Sequence, residues 1–228
     1  MSAPLTLPTK VWGTKGFQFW TFLSLVLLAS HARRLLELGS GRSTLTFAEY
    51  ALFAGAEFIS IETSREWYHR TFLELHFTNL NTKSLKHVEL DPITGWYVSS
   101  QFRAAIKRII PVECILIDAP NDDNGNSTGM RDTWCAIEEL RAVCSEAELI
   151  LVDDVHRQHV FSTVEQMLWS IQDYDFYYFE YRVVPAHMNA LCICARRGGK
   201  AALAIPQIEK TLNLALARNW SIEKCPEP

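Results

Sequence analysis

The chain has 228 residues, of which 48% are hydrophobic and 21% charged, and its formal net charge is -4 at pH 7. This length and composition predict one globular domain that buries roughly 70% of its unfolded surface. The slight negative charge argues against a dedicated nucleic-acid binder, which needs a basic surface to hold a phosphate backbone.

The N-terminal region indicates neither a signal peptide nor a membrane span. The apolar segment 16–29, GFQFWTFLSLVLLA, is interrupted by Gln18, Thr21 and Ser24. It is also shorter than the ~20 residues that a membrane-spanning helix needs. The start of the chain lacks the charged, apolar and small-residue order of a signal peptide. We therefore expect a packed helix here.

The cysteine pattern indicates a reducing compartment. None of the six cysteines forms a C-x-x-C pair, and Cys114, Cys192 and Cys194 lie inside apolar segments. We interpret these three as buried free thiols of an intracellular protein. The sequence therefore predicts a cytoplasmic location.

Helical and strand-like segments alternate along most of the chain. The predicted helices, in chain order, are about 16–30, 43–55, 64–77, 99–110, 131–144, 160–172 and about 206–218. The predicted strands are 34–38, 57–62, 86–90, 113–118, 148–154, 175–184 and 189–197. Such alternation is typical of an α/β fold with a mainly parallel sheet.

The last two predicted strands are connected by a short loop and not by a helix. Only a few residues, around 185–188, join them, whereas a parallel return needs a crossover of a dozen or more residues. We therefore expect a C-terminal antiparallel hairpin. The resulting single domain, 1–228, has a core at about 30–196, an N-terminal helix at 16–30 and a C-terminal helical tail at 200–228.

A glycine-containing loop follows the first predicted strand. In LELGSGRST, residues 36–44, Gly39 and Gly41 follow the strand and Glu37 precedes the first glycine by two positions. The third glycine of a dinucleotide-binding turn is absent. The next helix is expected to begin at Ser43 or Thr44 as its N-cap.

An acidic residue, Glu62, ends the second predicted strand about twenty residues after the glycine loop. Dehydrogenases share this combination of a glycine loop and a downstream acid, which accepts hydrogen bonds from a ribose. A nicotinamide-dependent oxidoreductase is therefore one interpretation of the pattern.

The order of elements, with five strand–helix units before an antiparallel hairpin, resembles the class I S-adenosylmethionine-dependent methyltransferases. The resemblance implies a Rossmann-like three-layer sandwich with a mainly parallel seven-stranded sheet and a C-terminal antiparallel hairpin. In that family the glycine loop packs against the methionine half of S-adenosyl-L-methionine, so no third glycine is needed. The cofactor-binding residues that the resemblance implies are Glu37, Gly39, Ser40, Gly41, Ser43, Glu62, Asp91 and Asp118.

Three aspartates follow the fourth and fifth predicted strands: Asp118, Asp153 and Asp154. Catechol and caffeoyl-coenzyme A O-methyltransferases carry an aspartate and an Asp-Asn pair at similar places, which implies a divalent cation such as Mg²⁺. Here the second residue of the pair is Asp154 instead of Asn. A helix-capping role for Asp153 or Asp154 is the alternative.

Two further segments are similar to the plant glucuronoxylan 4-O-methyltransferases. These are ILIDAPNDDNGNSTGMRDTW and LVDDVHRQHV. The matching residues are Asp118, Ala119, Pro120, Asp154, Val155 and Arg157. Gly129, Met130 and Arg131 have the family's composition in another order, and Asp153 and His156 replace a His and an Asp. The similarity suggests a hydroxyl acceptor on a saccharide or uronic acid.

The sequence therefore predicts a methyltransferase that O-methylates a hydroxyl of a small molecule or saccharide. The candidate catalytic residues are Asp118, Asp154 and His156, because a hydroxyl acceptor needs a general base. Arg131 and Arg157 are the candidate substrate-binding residues, and the polar loop 121–129 is a candidate lid. The alternatives are the nicotinamide-dependent oxidoreductase and a methyltransferase-like scaffold that binds a partner without turnover.

Overall fold

A computed structural model describes residues 17–118, 134–155, 173–184, 187–216 and 222–224. The predicted helix 160–172 and the loop 121–129 lie outside these ranges. The helices are α1 Phe17–Ser30, α2 Arg42–Ala54, α3 Arg65–Phe77, α4 Ser99–Ile106, α5 Trp134–Cys144 and α6 Lys200–Leu216, with a 3₁₀ turn at Thr82–Ser84. The strands are β1 Arg34–Leu38, β2 Glu57–Glu62, β3 Leu85–His87, β4 Cys114–Ile117, β5 Leu149–Val152, β6 Tyr174–Val184, β7 His187–Arg196 and β8 Ile222–Lys224.

The strands form one mixed sheet in the order β3-β2-β1-β4-β5-β7-β6-β8. Strands β1 to β5 pair in parallel with their neighbours. Strand β7 runs antiparallel to both β5 and β6. The predicted α/β fold, with its mainly parallel sheet and C-terminal antiparallel hairpin, is confirmed.

Helices cover both faces of the sheet because successive side chains of each strand point to opposite sides. On β1, Leu35 belongs to the core beneath α1, α2, α3 and α6, whereas Leu36 and Leu38 belong to the core beneath α4 and α5. Both cores are built mainly from aliphatic and aromatic side chains. The result is a three-layer arrangement of helix, sheet and helix.

Two differences from the predicted elements lie near the C-terminus. Helix α6 begins at Lys200, six residues before the predicted start at Pro206, because the preceding Ala201, Ala202 and Ile205 pack into the core. Strand β8 pairs with β6 at a position where the sequence predicted a helical tail. A three-residue strand is too short to produce a recognisable alternation of polar and apolar residues.

Strand β3 is shorter than predicted, because it ends at His87 instead of Leu90. Leu90 forms only an isolated bridge with Tyr97. Between these two residues the chain makes a turn, in which the backbone N–H of Asp91 donates to the carbonyl of Trp96 at 2.7 Å.

The described cysteines Cys114, Cys144, Cys192 and Cys194 are free thiols, and all but the half-buried Cys192 are buried. Within the ranges that the structure covers, no helix is both long and apolar enough to cross a bilayer.

Helix α1 is the apolar segment that the sequence predicted to be a packed helix. Phe22 of α1 is fully buried and stacks on Phe179 of β6, with ring centroids 4.7 Å apart. We expect Phe22→Ala to lower the free energy of unfolding by about 3–5 kcal/mol, because the change leaves a cavity in the core. Phe53 of α2 is 81% exposed, so Phe53→Ala should change it by less than about 0.5 kcal/mol. Urea unfolding of both variants checks this, and equal effects would contradict the packing of α1.

Candidate functional site

The candidate site lies at the carboxyl ends of β1, β2, β4 and β5. From β1 the sheet continues to β2 on one side and to β4 on the other. Open α/β sheets bind ligands in the crevice at such a reversal of strand order. The N–H of Gly39 donates to the carbonyl of Ile61, and the N–H of Asp118 donates to the carbonyl of Leu38, each at 2.8 Å. These hydrogen bonds hold the strand ends together.

The glycine loop connects β1 to α2. Gly39 has φ of 92°, which side chains rarely tolerate, so glycine is required there by the backbone itself. Gly41 has φ of 173°, an extended value open to any residue, and a Cβ placed on it would meet no atom within 4 Å. Gly41 is the N-cap of α2, so the prediction of Ser43 or Thr44 as N-cap is wrong.

The Glu37 carboxylate lies directly beneath this loop. Its Oε2 accepts hydrogen bonds from the hydroxyls of Thr44 at 2.7 Å and of Ser60 at 2.6 Å. Thr44 Oγ1 in turn accepts from the N–H of Gly41 at 2.9 Å. This chain of hydrogen bonds joins the loop, the first turn of α2 and strand β2. Glu37 is therefore positioned to fix the shape of the loop.

Burial raises the pKa of Glu37 to about 7, and the negative charge of Glu62 adds to this shift. Hydroxyl groups of Ser43, Ser60 and Thr44 oppose it by stabilising the carboxylate. Glu37 is fully buried, and its Oε1 has no hydrogen-bond partner among the described residues. An unsatisfied buried oxygen favours the protonated form of the acid.

Glu62 holds the loop from the other side. Its Oε2 accepts from both the backbone N–H and the hydroxyl of Ser40, each at 2.8 Å. Its Oε1 accepts from the backbone N–H groups of Thr63 and Ser64, also at 2.8 Å. Ser64 is the N-cap of α3, so Glu62 connects the glycine loop to the start of that helix.

Asp91 organises its own turn after β3. Its Oδ1 accepts from the N–H groups of Ile93 at 2.8 Å and Thr94 at 3.0 Å. These backbone hydrogen bonds, from Thr94 first, lower the pKa of the Asp91 carboxyl below its ordinary value. The turn is thus present, and the predicted contact between Asp91 and a cofactor stays a prediction.

The aspartates after β4 and β5 lie at neighbouring strand ends. The N–H of Asp153 donates to the carbonyl of Ile117 on β4 at 3.0 Å. Asp154 is mostly buried and has φ of 62°, a left-handed conformation that Asp adopts more readily than most residues. Asp153 Oδ1 accepts the N–H of Asp154 at 2.7 Å and so stabilises this bend.

The predicted metal site formed by Asp118, Asp153 and Asp154 is not supported. No group of three or more His, Cys, Asp or Glu side chains suited to an ion occurs in the ranges that the structure covers. Part of the reason is visible at Asp153, whose Oδ1 accepts a hydrogen bond from the backbone N–H of Asp154. The predicted residues His156, Arg131 and Arg157 lie outside the described residues.

The sequence did not identify three polar residues of the candidate site. These are Ser60, Thr71 of α3, and Thr44 in its role as a hydrogen-bond partner of Glu37. Ser60 is paired in register with Glu37 across β1 and β2. A polar residue inside the otherwise apolar strand segment FISI was the available signal. Thr71 is buried, with its hydroxyl oxygen 3.3 Å from that of Ser40. No local pattern distinguishes Thr71 from other polar residues of a helix.

No family model and no curated protein sequence matches this chain. Solved structures match over most of its length. The O-methyltransferase TomG from Streptomyces achromogenes, involved in tomaymycin synthesis and solved with S-adenosylmethionine, has a TM-score of 0.56 and 16% identity over 79% of this chain and 80% of its own.

Two other methyltransferases are similar to a comparable extent. The human methyltransferase 10 domain containing protein has a TM-score of 0.53 and 13% identity over 81% of this chain and 83% of its own. The precorrin-6y C5,15-methyltransferase from Geobacter metallireducens has a TM-score of 0.50 and 13% identity over 84% and 93%. None of the three is described as a glucuronoxylan or catechol methyltransferase. At these identities the likeness concerns the fold, and the chain has the fold of S-adenosylmethionine-dependent methyltransferases.

Proposed function

We propose that this protein is an S-adenosylmethionine-dependent methyltransferase that acts on a hydroxyl group of a small molecule or saccharide. The observation that carries the proposal is the hydrogen bond from the N–H of Gly41 to Thr44 Oγ1. Thr44 occupies the position of the third glycine in a G-x-G-x-x-G dinucleotide turn. In such a turn the backbone at the second glycine approaches a pyrophosphate. Here the N–H of Gly41 donates to Thr44 Oγ1 and is not available to a pyrophosphate, which argues against a nicotinamide dinucleotide.

The charges at this edge of the sheet support the same choice of cofactor. The carboxylates at the ends of β2, β4 and β5 are Glu62, Asp118, Asp153 and Asp154. S-adenosylmethionine carries a sulfonium and an ammonium cation, whereas a dinucleotide carries a doubly negative pyrophosphate. Carboxylates attract the first and repel the second.

The residues of the glycine loop fit the proposed cofactor. No atom lies within 4 Å of a Cβ built on Gly41. Neither the backbone conformation nor packing therefore explains why this residue is a glycine. A ligand lying against the loop would explain it. We propose that the loop, Gly39 to Ser43, holds the methionine part. We also propose that Glu62 binds the ribose and that Asp91 and Asp118 lie near the adenine.

When bound, the cofactor supplies an activated methyl group on a sulfonium. The protein then has to hold the acceptor hydroxyl in line and remove its proton. We propose Asp118 or Asp154 for this step, with His156 as a further candidate base. The left-handed backbone at Asp154 is supporting evidence, because such conformations cluster at active sites. A divalent cation is not part of the proposal.

The acceptor class rests on the sequence resemblances alone. The segments similar to glucuronoxylan 4-O-methyltransferases favour a saccharide, and the aspartate pattern of catechol-type enzymes favours a small aromatic alcohol. We propose that Arg131 and Arg157 bind a carboxylate of the acceptor, as an arginine can by paired hydrogen bonds. Among the compared structures, TomG is described as an O-methyltransferase.

Calorimetry tests the choice of cofactor. We expect S-adenosylhomocysteine to bind with micromolar affinity, about -8 kcal/mol, and nicotinamide dinucleotides to give no heat. Gly41→Ala should keep the fold and weaken binding by about tenfold, or 1.4 kcal/mol, because its methyl group enters the ligand's space. Phe53→Ala, at the other end of α2, is the control and should bind normally. Binding of a nicotinamide dinucleotide alone would overturn the proposal.

The pKa of Glu37 predicts a pH-dependent stability of the unliganded protein. The folded protein keeps this proton up to about pH 7, whereas the ordinary pKa is 4.5. The folded state therefore binds more protons than the unfolded chain between these values, and stability falls as the pH rises through this window. The loss should total about 3 kcal/mol, at 1.36 kcal/mol per pH unit, and remain constant above the window.

Glu37→Gln, which cannot ionise, should lack this component. Urea unfolding at about pH 5 and about pH 8 measures the difference between wild type and variant. The variant should gain stability relative to wild type at the higher pH. An unchanged difference would contradict a neutral Glu37 in the folded protein.

Turnover tests the proposed base. S-adenosylhomocysteine released from S-adenosylmethionine is measured with a panel of catechols, hydroxycinnamate esters and uronic-acid oligosaccharides. With an acceptor that reacts, Asp154→Asn should lower kcat by about 10²–10⁴-fold. Asn also tolerates the left-handed backbone, so the variant should fold and bind S-adenosylhomocysteine normally. Glu57→Gln, at the opposite edge of the sheet, is the control. Full turnover by the Asp154 variant would exclude it as the base.

A further inference from the structure

The Glu62 carboxylate is fully engaged by donors of the protein itself. It accepts four hydrogen bonds, each at 2.8 Å: from the N–H and hydroxyl of Ser40 and from the N–H groups of Thr63 and Ser64. A carboxylate offers about four lone-pair positions to donors. A further donor from a ligand can therefore bind Glu62 only by replacing one of these four.

The four donors differ in how easily they can be withdrawn. Three are backbone N–H groups, fixed by the glycine loop at Ser40 and by the start of α3 at Thr63 and Ser64. Moving any of them requires a backbone rearrangement. The Ser40 hydroxyl is the one side-chain donor of the four, and rotation about a single bond moves it away.

A second acceptor lies within reach of the Ser40 hydroxyl. Thr71 Oγ1, on α3, is 3.3 Å from Ser40 Oγ. Thr71 is almost completely buried, and Glu62 itself is 6% exposed. Because a hydroxyl has a single hydrogen, Ser40 can donate to Glu62 or to Thr71 at one time. The displaced hydroxyl would therefore keep a hydrogen bond.

We propose that the Ser40 hydroxyl takes the place of a ribose hydroxyl on Glu62 and transfers its hydrogen bond to Thr71 when a ribose-bearing ligand binds. The inference rests on the proposed function, since it assigns Glu62 to the ribose of the cofactor. Ser40 then acts as an internal competitor that lowers the affinity for the ligand. Thr71 reduces that penalty by accepting the displaced hydroxyl.

The Ser40→Ala variant tests whether the Ser40 hydroxyl weakens or strengthens ligand binding. It leaves a free acceptor position on Glu62, so S-adenosylhomocysteine should bind about 3- to 10-fold more tightly than to wild type, the range of one net hydrogen bond. The analogue without the two ribose hydroxyls should bind both proteins equally. If the Ser40 hydroxyl instead contacts the ligand, the variant binds S-adenosylhomocysteine more weakly, and the proposal is overturned.

The Thr71→Val variant tests the second half of the exchange. It removes the alternative acceptor at nearly constant volume, so S-adenosylhomocysteine should bind about 3- to 10-fold more weakly than to wild type. In the Ser40→Ala background the same change should have no effect, because no hydroxyl is displaced. Thr211→Val, on α6, which packs against α1 and β7, is the matched control and should leave binding unchanged.

The outcomes separate this inference from the proposed function. Binding of S-adenosylhomocysteine to wild type, with equal or weaker binding to Ser40→Ala, overturns the inference and leaves the cofactor assignment intact. No binding to wild type or to any variant overturns both. Thermal unfolding establishes that each variant is folded. If Ser40→Ala does not fold, unchanged binding by Thr71→Val is sufficient to overturn the exchange.

Discussion

A carboxylic acid buried in the middle of the sheet determines the shape of the candidate site. Glu37 is paired in register with Ser60 on β2 and with Leu116 on β4, so its neighbour is polar on one side and apolar on the other. A buried polar group without partners is costly, and the hydroxyls of Ser60 and Thr44 reduce this cost by donating to Glu37 Oε2. Thr44 also accepts the N–H of Gly41. The same threonine therefore stabilises the buried acid and shapes the glycine loop.

Glu62 completes this arrangement from the other side of the loop. The loop is held between two acids, one sealed beneath it and one joined to Ser40 at the crevice. A binding loop that is fixed in advance loses less conformational entropy when a ligand arrives. The two acids have different partners: Glu37 is joined to the first turn of α2 and to β2, and Glu62 is joined to Ser40 and to the start of α3.

Patterns within single segments allowed the fold to be predicted from the sequence. Apolar strands such as β4 and β5, separated by amphipathic helices, identify a parallel sheet, and the short connection after β6 identifies the hairpin. Interactions between segments were not accessible in this way. Ser60 and Thr71 become site residues only through the pairing of β1 with β2 and the packing of α3, which involve residues far apart in the chain. The N-cap of α2 was misplaced for the same reason, because Thr44 is the third residue of the helix, where its hydroxyl donates to Glu37 and accepts the N–H of the N-cap Gly41.

The contact between α1 and α6 has a consequence for how the chain is synthesised. These two helices pack together on one face of the sheet, although 170 residues separate Ser30 from Lys200. A ribosome that adds about 5–20 residues per second needs roughly 10–30 s to cover this interval. Helix α1 is apolar over most of its surface and has no complete partner during that time. The nascent chain therefore leaves part of this apolar helix uncovered until α6 emerges, and chaperones bind intermediates with such exposed apolar surface.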